Sequence, residues 1–90
     1  MQRLKKTTEQ QIQTKIIKKL EADGYYVLKL IKTNKNGIPD LLAIKNNECL
    51  FIEVKREDGK LSEVQKYRLN ELKEKGIKSV VAYGINFSKE

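Results

Sequence analysis

Ninety residues make room for one domain with one modest hydrophobic core, and the 39% apolar, 34% charged composition is that of a globular chain with a heavily charged surface. There is no histidine and only one cysteine, Cys49. That excludes internal disulfides, Ser-His-Asp and Cys-His catalysis, and zinc sites built on Cys or His, leaving chemistry on Asp, Glu, Lys, Ser, Tyr or a hard cation held by oxygens.

Residues 8–23 are expected to form a helix. Ile12, Ile16 and Leu20 recur at i, i+4, i+8, Ile17 widens the stripe, Thr8-Glu9-Gln10-Gln11 has the form of a capping box, and Gly24 stops the last turn. Tyr25 to Ile31 is rich in β-formers and reads as a first strand. A loop punctuated by Gly37 and Pro39 follows. Leu41 to Lys45 and Cys49 to Lys55 are a second and third strand, joined by Asn46-Asn47 as a two-residue hairpin turn, since Asn tolerates positive φ. Ser62 to Lys75 is a second helix with Ser62 as N-cap, Gly76 as stop, and an apolar face through Val64, Tyr67 and Leu72. Ser79 to Tyr83 is a fourth strand. The order is α-β-β-β-α-β. The second and third strands are apolar on both faces, so they belong in the middle of a sheet with a helix layer on each side, a three-layer α/β domain spanning residues 1–90. The tyrosines Tyr25, Tyr26, Tyr67 and Tyr83 are expected to pack in the core.

Charge interrupts this apolar pattern at three points. Asp40 opens one central strand, and Glu53 and Lys55 break the other, projecting from one face because side chains alternate along a strand. With a two-residue turn at Asn46-Asn47, facing residue numbers sum to 93, and Asp40 faces Glu53. A turn one residue longer would set 53 opposite 41. Facing carboxylates repel, and either a proton or a cation relieves them. Mg²⁺ suits such a pair, because it takes oxygen ligands and commonly combines one or two carboxylates with substrate phosphate. Lys55 can then orient water or neutralise charge developing on a phosphate. Any one of these residues alone could be half of a structural ion pair. Three together among Leu50, Phe51 and Ile52 are costly to bury without a task.

The net charge of +7 is also uneven. Residues 1–35 hold nine bases against three acids. A positive field concentrated there suits a polyanion, most often nucleic acid, although a solvated basic surface has the same composition. The N-terminal MQRLKKTTEQ has no apolar leader stretch, so an intracellular, cytoplasmic setting is expected.

Gly37-Ile38-Pro39-Asp40, then Glu53-Val54-Lys55, then Ser62-Glu63-Val64-Gln65 resembles the PD-(D/E)XK nuclease motif series. In a stand-alone domain of this size it resembles the virus-type replication-repair nuclease (VRR-NUC) family, over about Glu9 to Tyr83. The resemblance implies a restriction-endonuclease-like core with a mixed four-stranded sheet. It implies Asp40 and Glu53 as ligands of Mg²⁺ or Mn²⁺ with the Val54 carbonyl as a third, Lys55 as catalytic lysine, and Gln65 reaching the site from the second helix. Glu9 is the best match for a first-helix glutamate, although Gln11 stands where many members have a further acid. Lys32, Lys35 and Arg56 flank the motif and are candidate phosphate contacts. The expected activity is metal-dependent DNA endonuclease, with branched DNA and four-way junctions as family substrates and a virus-infected bacterial host as one setting. One small domain offers little surface for a duplex, so a homodimer or higher oligomer is expected. A non-catalytic nucleic-acid-binding or accessory repair protein that keeps the fold is the competing reading.

Overall fold

The computed structural model describes residues 7–85. Its elements are α1 (Glu9–Ala22), β1 (Tyr26–Lys29), β2 (Leu41–Lys45), β3 (Glu48–Lys55), α2 (Glu63–Glu74) and β4 (Lys78–Tyr83). Strand order is β1-β2-β3-β4, antiparallel except for the parallel pair β3–β4, which needs a crossover that α2 supplies.

Local chemistry sets the boundaries. Thr8 caps α1 and exchanges hydrogen bonds with Gln11, and Ser62 caps α2 and exchanges them with Gln65, so both helices start on complete capping boxes. Asn46 and Asn47 have φ of 51° and 67°, the two consecutive left-handed residues of a tight hairpin turn. That turn fixes the register: Lys45 pairs with Glu48 and Leu41 with Ile52, each pair summing to 93 as the two-residue turn requires. β1 is shorter than the sequence suggests. The Leu30 N–H still donates to the Asp40 carbonyl at 2.8 Å, but the ladder ends there, and Ile31 is left 85% exposed.

The core lies on one face of the sheet. Ile12, Ile16 and Leu20 of α1 pack on Leu41, Ala43, Leu50, Ile52, Val54 and Ala82. Each of the Val, Leu and Ile side chains contributes roughly 1.5–3 kcal/mol through burial, and the two alanines less. α2 covers the other face, from which Glu53 projects to meet Gln65. None of its residues is fully buried. Its inward row is Gln65, Leu69 and Leu72, whereas Val64 and Tyr67 of the expected apolar face are 40% and 58% exposed. Two polar anchors set that rotation: Gln65 on Glu53, and Arg68, whose Nε donates to the Asn36 carbonyl at 2.7 Å. The tyrosine expectation is corrected too. Tyr25 packs against the core, but Tyr26, Tyr67 and Tyr83 are exposed, because they fall on the thinly covered second face and its edges.

Candidate functional site

The site forms where the start of β2 meets the end of β3. Val54 and Ile52 point into the core, so the pleat turns Glu53 to the opposite face, with Lys55 two residues on. Glu53 is 2% exposed, an unusual depth for a carboxylate. Asp40 sits across from it by continuation of the β2–β3 register, and its Oδ2 accepts the Val54 N–H at 2.8 Å. A main-chain bond from the strand that carries Glu53 therefore holds Asp40 in place.

Two further groups converge on the same Glu53 oxygen. Gln65 Nε2 donates to Glu53 Oε2 at 3.2 Å, and Lys55 Nζ stands 4.0 Å from it. Gln65 does both things its position in the sequence allows: Oε1 accepts the Ser62 N–H of the capping box while Nε2 reaches the carboxylate.

The electrostatics follow from this crowding. Burial pushes the Glu53 carboxyl up from its ordinary 4.5 to about 8, the negative charge of Asp40 and a hydrogen bond between the two acids push the same way, the Lys55 ammonium opposes them, and Glu9 adds a further upward push. Near neutral pH, with no cation, Glu53 therefore keeps a proton. A divalent cation satisfies the pair better, because it replaces that proton and neutralises both acids. The donor set is all oxygen, which suits Mg²⁺ or Mn²⁺. Among the described residues no cluster of three or more His, Cys, Asp or Glu is placed to hold a metal. A cation here would draw its remaining ligands from main chain, substrate and water.

The other sequence candidates fall at varying distances from this centre. Glu9 is half-buried in the first turn of α1, and its charge reaches Glu53. The Val54 side chain is in the core and its N–H is taken by Asp40. Lys32 and Lys35 are exposed in the loop that leads to Asp40. Arg56 follows β3 directly, pairs with Asp58 at 3.6 Å, and opens onto a different hollow, of about 390 Å³, with Thr7, Ile12 and Lys15.

A second hollow, of about 270 Å³, does involve the site: Asp40 lines it together with Gln10, Gln13, Lys29, Leu30 and Ile31. Sequence reading passed over Gln13 and Lys29. Gln13 had a signal. At about 100° per residue it falls between Ile17 and Leu20 on the helical wheel, a polar side chain inside the apolar stripe. Lys29 had none beyond its charge.

A model of the VRR-NUC domain family matches residues 1–86. Two similar solved structures are a "VRR_NUC domain", 28% identical over 86% of this chain and 85% of that one with a TM-score of 0.77, and a "VRR_NUC domain protein", 26% identical over 91% and 82% with a TM-score of 0.72. No curated protein matches significantly.

Proposed function

The chain belongs to the VRR-NUC family of nuclease domains, and from that premise we propose that it is a Mg²⁺- or Mn²⁺-dependent DNA endonuclease. The carrying observation is the buried Glu53 carboxylate beside Asp40, with Lys55 and Gln65 converging on one of its oxygens. A protein that merely grips DNA gains nothing from two opposed acids at the surface it turns to phosphates.

Asp40 and Glu53 would hold the cation, with the Val54 carbonyl as a main-chain ligand. When bound, a divalent ion supplies positive charge that polarises the phosphodiester and makes water more acidic. The residues of the chain do the rest. The Val54 N–H and the Gln65 carboxamide fix the two carboxylates before substrate arrives, so little reorganisation is needed during reaction. The Lys55 ammonium is close enough to orient the attacking water and to offset negative charge that builds on the phosphoryl oxygens. Water adds to phosphorus, the P–O3′ bond breaks, and the products carry 5′-phosphate and 3′-hydroxyl ends. Glu9 would add acid from α1. Lys32, Lys35 and Arg56 would contact phosphates flanking the scissile one, which orients the strand without reading its sequence. Branched substrates, four-way junctions among them, and a role in replication, repair or recombination fit this backbone-directed grip. A homodimer would present two sites to two strands, and the exposed Tyr26, Leu28, Val64 and Tyr67 offer apolar surface for it.

The test is cleavage of linear, flapped and four-way DNA with Mg²⁺ or Mn²⁺ by the wild type beside Asp40→Ala and Lys55→Ala. Activity in the wild type and loss in both variants is expected. Equal activity in all three would mean a contaminating nuclease and remove the assignment.

A further inference from the structure

Strand β4 forms one edge of the sheet, and among the described residues no strand lies beyond it. Its pairing with β3 runs from Lys78 to Tyr83 without a bulge, and no proline interrupts it. Hydrogen-bond direction alternates from residue to residue along a strand, and the Gly84 N–H donates inward, to the Lys55 carbonyl at 2.8 Å. Lys78, Val80 and Ala82 therefore bond to β3, while Ser79, Val81 and Tyr83 turn their N–H and C=O groups outward. Such an edge is a template for another strand, and folds usually blunt it with a bulge, a proline, charges or a cover. Of these devices β4 has a lysine at its first position. The edge is instead one wall of a groove of about 840 Å³ whose other wall is α2, and that volume lies within the ~300–1,000 Å³ range of ligand sites.

The lining sets what fits. Leu61, Leu69, Ile77 and Val80 make the groove apolar. Lys66 and Lys73 of α2 and Lys78 of β4 add positive charge, and no acidic side chain lines it. Lys66 also meets Glu63 at 3.1 Å, but that pair is exposed and therefore weak. A peptide added to a sheet edge takes main-chain hydrogen bonds from it and puts alternate side chains into the adjoining groove. DNA fits less well. The lining has no aromatic side chain for a base to stack on, and a phosphate, itself an acceptor, cannot use the outward C=O groups. A second copy fits less well too, because two-fold pairing of β4 with β4 would set the lysines of two +7 chains against each other. We propose that the β4 edge and its α2 wall are a docking site for an extended segment of a partner protein, with aliphatic or β-branched residues at its centre and acidic residues flanking them, held as a fifth strand beside β4. The groove shares no residue with the catalytic centre or with the apolar surface assigned above to a homodimer, so the segment leaves the active site open to DNA. The proposal stands apart from the nuclease reading.

The experiment is a fluorescence-anisotropy titration of the full 90-residue chain with a labelled octapeptide, valine-threonine-valine-isoleucine flanked on each side by two aspartates, together with amide hydrogen exchange followed by NMR. Saturable binding is expected. On binding, the amides of Ser79, Val81 and Tyr83 should exchange at least about tenfold more slowly, whereas those of Val80 and Ala82, already bonded to β3, should change little. A peptide with lysines in place of the aspartates, and one N-methylated through its centre so that it lacks strand-pairing donors, should each bind at least about tenfold more weakly. Lys66→Glu combined with Lys73→Glu should weaken the acidic peptide by a similar factor and favour the lysine-flanked one. Ser79→Pro, which removes an outward N–H without taking a bond from β3, should weaken both the binding and the exchange protection. No binding at about 1 mM peptide, binding without slowed exchange at Ser79, Val81 and Tyr83, or equal binding of either control peptide overturns the proposal. Slowed exchange at those amides in the chain alone, growing with its own concentration, would make β4 an interface between copies. Displacement of the peptide by duplex DNA in chelator would make the groove a DNA surface. Either result also overturns the proposal.

Discussion

Replacing Glu53 with glutamine should stabilise the metal-free protein above neutral pH, and the size of the effect follows from the site. In the unfolded chain Glu53 loses its proton around 4.5, but in the fold it holds it until about 8. Between those values the native state binds more protons than the unfolded state, so stability falls as pH rises. The contribution is complete below about 4.5 and gone above about 8. The gap between the two values, at ~1.4 kcal/mol per pH unit, sets a ceiling of about 5 kcal/mol. An effect of about 2–4 kcal/mol, somewhat below that ceiling, is expected. The carboxamide introduced by Glu53→Gln mimics the protonated acid: its oxygen can accept from Gln65 and its amide can donate to Asp40. It does not titrate. Urea unfolding in a chelator at pH 5, 7 and 9, followed by far-UV circular dichroism, should show wild type and Glu53→Gln close together at pH 5 and separated by that amount at pH 9. Adding Mg²⁺ at pH 9 should return stability to the wild type and do little for the variant. Parallel pH profiles for the two proteins would refute the claim that Glu53 is buried against a second acid.

Lys55→Met should lower kcat about 10²–10³-fold while DNA affinity changes little, because its ammonium is set beside Glu53 instead of out in the basic surface; single-turnover cleavage beside a filter-binding titration separates the two. Gly37→Ala should cost about 1–3 kcal/mol in a urea melt, since Gly37 has φ +80° and an added Cβ would lie 2.9 Å from a Val64 methyl and 3.0 Å from its carbonyl carbon. Lys32→Ala and Lys35→Ala should each weaken DNA binding and reduce the slope of log K against log salt by about 0.9, and an unchanged slope would take that lysine off the DNA surface.

The sequence by itself determined the element order, the capping box of α1, the Ser62 cap of α2 and, for a two-residue turn, the hairpin register. These are local matters: a hydroxyl three residues before a glutamine, two asparagines between apolar runs, and alternation with a period of two. Because the turn fixed the register, it also determined that Asp40 and Glu53 would meet, and the motif series carried the family. Only the tertiary structure decided the rotation of α2, where Gln65 and Arg68 outrank Val64 and Tyr67, since which face of a weakly apolar helix turns inward depends on partners from Glu53 and Asn36 that are distant in sequence. It also decided the exposure of three tyrosines, the length of β1, and the depth of Gln13. A helical wheel shows that a polar residue lies in an apolar stripe, but only packing shows whether anything bonds it. The meeting of the two acids was written in chain order, whereas the environment that raises the Glu53 carboxyl and opens a hollow beside Asp40 belongs to the assembled fold.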